Sequence, residues 1–196
     1  MHINADKFVT DGDAITFAGD AGARLGCCTI SKPRDLRSCT TTKTAYCSLM
    51  GNASGNIKIV ESDCTNGQTE VHFKGTIDCP SCGNTDHGFH VHASGALYDG
   101  DENFSCSATG SHFSDGDDGS TANASLHHGA PWDANRHYGD LGNVELCSAT
   151  KKISVDIVDR VLSLDSSRDG YMLGRGMVLH AKSDDLGTSN PANPVR

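Results

Sequence analysis

Ten histidines are spread through this 196-residue chain, and their spacing is the first sign of chemistry. His90 and His92 stand two apart in Gly88-Phe89-His90-Val91-His92. An extended backbone there sends both imidazoles out of one face, within reach of a single ion, while Phe89 and Val91 take the other face. A pair of this kind standing alone is often just solvent-facing. Here it has company: His112, His128, His137 and Asp140 lie in or beside a long stretch, residues 93–136, rich in Gly, Ser, Asp and His. His180 ends a later apolar run. A loop so poor in apolar residues cannot order itself by burial, and a bound metal would supply the missing free energy. Three imidazoles and a carboxylate suit tetrahedral zinc, and an all-imidazole set of four suits copper.

Strands must position these residues, because helix signals are poor. The chain carries 22 Gly and many Ser, Thr, Asn and Asp, with no long stretch of helical period. Residues 55–60 and 70–77 alternate apolar and polar side chains, and strand patterns return at 142–146, 152–156 and 170–180. Hydrophobic content of 36% is enough for one β core. The net charge of −9 argues against nucleic acid or an anionic membrane as the main partner, and no apolar run is long enough to span a bilayer. Nine cysteines suggest structural disulfides in an oxidising compartment, and Asn-X-Ser triplets at Asn52, Asn103 and Asn123 point the same way. A secreted protein is therefore expected. Met1-His2-Ile3-Asn4 shows neither the basic region nor the apolar stretch of a signal peptide, so the true N-terminus is expected upstream.

The motifs together resemble one family. Gly88-Phe89-His90-Val91-His92, Gly110-Ser111-His112-Phe113, His128-Gly129-Ala130-Pro131, Arg136-His137-Tyr138-Gly139-Asp140-Leu141-Gly142-Asn143-Val144 and Val178-Leu179-His180-Ala181-Lys182-Ser183-Asp184-Asp185-Leu186-Gly187 resemble copper/zinc superoxide dismutase in order and wording. The resemblance covers roughly residues 45–187. It implies an all-β, eight-stranded, flattened Greek-key barrel, or β-sandwich, with long metal-binding loops. It implies copper on His90, His92, His112 and His180, and zinc on His112, His128, His137 and Asp140, with His112 bridging and acting in catalysis. It further implies that Asp184 links a copper histidine to a zinc histidine, that His87 is structural, and that Cys106 forms half of a disulfide. Superoxide is then the substrate, disproportionated to dioxygen and hydrogen peroxide. The rival reading is a non-catalytic secreted copper/zinc-binding or storage protein on the same scaffold. His72 and His127 match no ligand position. Asp115, Asp117 and Asp118 read as a solvated acidic loop inserted relative to the family.

The front of the chain departs from the pattern. The family's closing strand, Arg-Leu-x-Cys, is expected after His180, yet the sequence runs there to Pro194-Val195-Arg196. Gly19-Asp20-Ala21-Gly22-Ala23-Arg24-Leu25-Gly26-Cys27-Cys28 resembles that strand instead, and Met1-His2-Ile3-Asn4-Ala5-Asp6 resembles the loop before it. Residues 1–30 are thus expected to be the tail of a preceding repeat, a docked closing strand of the same barrel, or both; residues 31–44 read as a linker and 45–196 as the domain. Docking would bring Arg24 to the copper cleft as the anion-guiding arginine and Cys27 to Cys106, leaving His2 as a spare copy of His180. Arg196 is the alternative guiding cation. Phe17 stands where the family has a loop lysine, and Lys182 offers some compensation. A homodimer or neighbouring repeats are the protein partners this resemblance allows.

Overall fold

Alternating side chains need a sheet with one wet face and one packed face, and the chain builds one. The computed structural model describes residues 39–83, 85–98, 103–115 and 126–188, with the backbone of two short strands near the start. Met1–Arg37 and Ser38–Arg196 are separate compact units. In the first, β1 (Val9–Asp11) pairs antiparallel with β2 (Ala14–Thr16). His2, Arg24, Cys27, Asp117, Asp118 and Arg196 lie outside the described residues.

The second unit holds β3 (Cys39–Leu49), β4 (Ser54–Cys64), β5 (Thr69–Asp78), β6 (Asp86–His92), β7 (Asp140–Cys147), β8 (Lys152–Asp159) and β9 (Gly176–Leu179). They form one seven-stranded sheet in the order β3-β4-β5-β8-β7-β6-β9, and every pairing is antiparallel. β7 and β8 meet at only two positions, Leu146 opposite Ile153 and Cys147 opposite Lys152. The sheet turns a corner there and curls around a single core. Ile57, Val71, Phe73, Ile77 and Ile153 face Phe89, Val91, Val144 and Leu146, with Phe113, Leu162 and Met172 sealing the ends from loops. The fold is all-β, a curled half-barrel of the Greek-key type. Among the described residues no helix is long and apolar enough to cross a membrane.

Two boundaries differ from the sequence reading. β3 begins at Cys39, inside the stretch expected to be a linker, because Cys39 lies directly opposite Cys64 on β4 and is disulfide-bonded to it. The late strand expected over residues 170–180 shrinks to Gly176–Leu179. Residues 170–175 instead make turns, with the Tyr171 and Arg175 N–H groups donating to Arg168 and Met172 carbonyls. A second disulfide joins Cys79 to Cys82. The buried Glu61 of β4 pins the long β8–β9 connection, accepting from the Ser163 hydroxyl and the Leu164 N–H, each at 2.6 Å.

Candidate metal centre

β6 is the platform. Phe89 and Val91 go into the core, so His90 and His92 must leave from the other face, and both are buried there by the loops. One loop returns through the short 3-10 turn Cys106–Thr109 and bridges His112 to His92. The next brings His128 and then the turn 137–140 against β6. That turn is pressed onto the strand: Val91 N–H donates to the Gly139 carbonyl at 3.0 Å, and a Cβ on Gly139 would lie 2.0 Å from the Val91 oxygen. β9 pairs with β6 and delivers His180 beyond its end. The His180 N–H donates to the Gly88 carbonyl, and its own carbonyl accepts from His87 Nδ1, each at 2.8 Å.

Two donor groups result. His90, His92, His112 and His180 form one, and His112, His128, His137 and Asp140 form the other, with the donor atoms of each group within 4.8 Å of one another. Nitrogen ligands 2.0–2.1 Å from an ion sit about 3.3 Å apart in a tetrahedron, so small adjustments would close either group on a metal. The ring nitrogens sort themselves. His90 gives Nε2–H to Asp184 at 2.7 Å, and its Nδ1 is buried with no hydrogen-bond partner among the described residues. His92 gives Nδ1–H to the Gly110 carbonyl at 2.8 Å, leaving Nε2 3.2 Å from His180 Nε2. His128 gives Nε2–H to Asp184 at 2.6 Å, so its Nδ1 faces Asp140. His137 Nδ1 is buried 3.6 Å from an Asp140 carboxylate oxygen, with no closer hydrogen-bond partner among the described residues. His112 puts Nδ1 2.7 Å from Asp140 in the second group, which leaves Nε2 for the first. Buried orphan nitrogens pointing into a shared space are what a metal would satisfy.

Charge supports the same division. Burial, reinforced by neighbouring imidazoles, lowers His180 to about 3. Burial likewise takes His92 to about 4, against the opposing pull of the Gly110 carbonyl. Burial also lowers His90, with the hydrogen bond to Asp184 opposing it. All three are therefore neutral at physiological pH, the form in which an imidazole can bind a metal. The second group is acidic. Burial pushes the Asp140 carboxyl up, but hydrogen bonds from His112, His128 and His137 outweigh it and hold it well below the usual range. Hydrogen bonds to Asp140 and Asp184 raise His128 to about 10, so this side holds a positive charge that a divalent ion could replace.

The family model for copper/zinc superoxide dismutase matches residues 53–195. The chain belongs to the copper/zinc superoxide dismutase family. It is similar to an extracellular Cu-Zn superoxide dismutase of Haemonchus contortus, 36% identical over 137 residues, which covers 70% of this chain and 64% of that one. An extracellular Cu-Zn superoxide dismutase of Drosophila melanogaster is 32% identical over 171 residues, covering 84% of this chain and 82% of the relative. Among solved structures, the clock protein EA4 is 33% identical with a TM-score of 0.54, covering 75% of this chain and 78% of the other. The family takes copper and zinc, and the two donor groups suit both ions.

Several positioning groups of this dismutase-family site escape the sequence reading. Asn143 clamps Asp184 from both sides, its Nδ2 donating to the Asp184 carbonyl at 2.9 Å and its Oδ1 accepting the Asp184 N–H at 2.7 Å. Arg136 is buried, donates to the carbonyls of Pro131, His137 and Tyr138, and pairs with buried Asp159 at the end of β8. Asp185 Oδ1 approaches His128 Nε2 at 3.3 Å. Their only signal in the sequence was membership of the quoted motifs, because Asn143 meets the Asp184 backbone, Arg136 meets Asp159 and Asp185 meets His128 only after distant segments fold together.

Proposed function

We propose that the chain disproportionates superoxide, with copper held by His90, His92, His112 and His180 and zinc by His112, His128, His137 and Asp140. The observation that carries this reading is His112, whose two ring nitrogens serve two different donor groups. A storage site needs no shared imidazole. When bound, copper supplies one-electron redox chemistry: superoxide is oxidised to dioxygen in one half-reaction and reduced to hydrogen peroxide in the other. The chain's own residues do the rest. Asp184 and the Gly110 carbonyl fix the orientation of His90, His128 and His92. His112 Nε2 is the nitrogen that can take up a proton and return it as peroxide forms. His180 is only part-buried, whereas His90, His92 and His112 are buried, so the first group opens to solvent beside His180. A small anion can enter there.

Steering has to be local, because the net charge of −9 repels superoxide. Arg24 is the proposed guiding cation, and exposed Lys182, two residues beyond His180, adds to the field. Secretion is part of the proposal, supported by the two disulfides and by relatives named extracellular. To test the function, the protein is loaded with copper and zinc, and superoxide loss is timed with and without His112→Ala. The native protein should far exceed a simple copper–peptide complex, and the variant should lose about 100-fold or more. Copper bound with no activity above the peptide complex would establish the storage reading instead.

A further inference from the structure

The Asn-X-Ser triplets at Asn52, Asn103 and Asn123 fall in three different settings. Asn123 lies outside the described residues. Asn52 stands in the turn, residues 50–53, that joins β3 to β4 just beyond the Leu49–Gly55 pair. Gly51, at φ +115°, lets the chain reverse there. Asn52 and Ser54 are both exposed, and among the described residues neither side chain is held by a hydrogen bond. Beside the same turn is an apolar cluster. The Phe104 ring rests on it, with Cε1 3.3 Å from where a Cβ on Gly51 would stand. Tyr98 meets Phe104 edge to face, ring centroids 6.2 Å apart. Met50, Tyr98 and Phe104 are 50%, 58% and 41% exposed. Large apolar groups gathered in one exposed place are a site for something to lie over.

We propose that Asn52 is N-glycosylated, and that the first sugars of the glycan lie over Met50, Tyr98 and Phe104. The proposal rests on the secretion reading, because the donor is a lipid-linked oligosaccharide of the secretory route. Asn52-Ala53-Ser54 has a free amide, a free hydroxyl two residues on, and no proline between them. A bulky group attached at this turn displaces no packed side chain. A pyranose presents C–H groups on one face and hydroxyls at its rim. The polarised C–H groups suit the negative face of an aromatic ring, while the hydroxyls stay in water. The glycan would thus cover the cluster and replace it with a wet surface.

Two alternatives are poorer. Asn103 is exposed, but its segment is pinned: Phe104 is bridged to Tyr98, and the Ser105 N–H donates to the Leu97 carbonyl at 3.0 Å. A second copy could sit on the cluster, but three side chains fall far short of the roughly 800 Å² per partner that a stable dimer buries. A net charge of −9 on each copy opposes it further. The transfer itself changes no oxidation state. The bond from sugar C1 to the diphosphate oxygen of the donor breaks, and a bond from C1 to Asn52 Nδ2 forms. One Nδ2 proton is released, and the lipid diphosphate leaves as the anion.

The test expresses the full chain in eukaryotic cells behind a cleavable secretory leader. Enzymatic release of the glycan in heavy-oxygen water should leave an isotope label at position 52, read by peptide mass spectrometry. Asn52→Gln should lose that glycan completely, and so should Ser54→Ala, which leaves Asn52 itself untouched. Oxidative labelling of Met50 and Tyr98 in the folded protein should rise once the glycan is removed. Secreted protein with an unmodified Asn52, or with sugar on Asn103 alone, would overturn the proposal while leaving secretion standing. Native protein found only inside cells, with both disulfides reduced, would reject the secretion reading and this site with it. Labelling of Met50 and Tyr98 that is unchanged by removing the glycan, or suppressed only in a dimer, would reject the covering role. If Asn52→Gln fails to fold, Ser54→Ala and the peptide map of the unaltered chain still decide.

Discussion

Asp184 shows how much one carboxylate can organise. It is held in a clamp by Asn143 and accepts N–H bonds from both His90 and His128, so one side chain sets the rings of two donor groups. Asp184→Asn keeps the shape, but its amide can accept from only one ring and presents N–H to the other. Metal affinity measured by chelator competition should fall about 10–100-fold with little change in secondary structure. The same residues give the metal-free protein a defined acid response. His92 and His180 are lowered to about 4 and about 3, so unfolding lets each take up a proton between its folded value and its ordinary 6.5. Their contribution is fully present above 6.5 and is lost as pH falls towards those values. His128, raised to about 10, is protonated in both states below 6.5 and contributes no slope there. The denaturant midpoint of the metal-free protein should therefore drop from pH 7 to 4.5. A flat profile would contradict the buried neutral imidazoles.

The strands and turns matter as carriers of these side chains. The 137–140 turn is bonded into β6 through Val91 and into the preceding loop through the Gly139 N–H and the Phe113 carbonyl, at 2.9 Å. Gly139 has no room for a Cβ, so Gly139→Ala must push the turn off the strand and take His137 and Asp140 with it. We expect about 1–3 kcal/mol of lost stability and a weakened second donor group, read by denaturation and by zinc competition. Glu61 plays the corresponding role at the other end of the sheet. Glu61→Ala would strand the buried Ser163 hydroxyl and the Leu164 N–H, and should cost about 3 kcal/mol without moving metal affinity. The contrast between the two variants separates elements that hold the site from elements that hold only the fold.

For the second unit as a whole, one buried ion pair ties the metal-loop region to the far end of the sheet. Arg136, inside the metal-loop region, pairs with Asp159 at the end of β8, and both are buried. Asp159→Asn would leave the guanidinium charge buried without its partner, and thermal or denaturant unfolding should show a loss of about 3–5 kcal/mol. Chelation acts through the same loops. Removing both metals should speed amide exchange over residues 103–115 and 126–139 more than over β4 and β5, which rest on the hydrophobic core.

Much of this was legible in the linear order of residues, and the physical reason is periodicity. A two-residue repeat fixes which face His90 and His92 share, and runs such as residues 70–77 declare a half-buried strand by themselves. The motif wording carried the family and the identity of both donor groups, because ligand chemistry tolerates few substitutes. What remained hidden depends on partners distant in sequence. The start of β3 at Cys39 follows from its pairing with Cys64, and the shortening of the late strand to Gly176–Leu179 from bonds within its own loop. The Asn143 clamp and the Arg136–Asp159 pair appear only once loops fold onto strands. Strand patterning could announce single strands, but only the folded sheet shows that, among the described strands, β3 and β9 are its two edges, line one groove and run in one direction. Local chemistry is written residue by residue, whereas closure is a property of how all the strands add up.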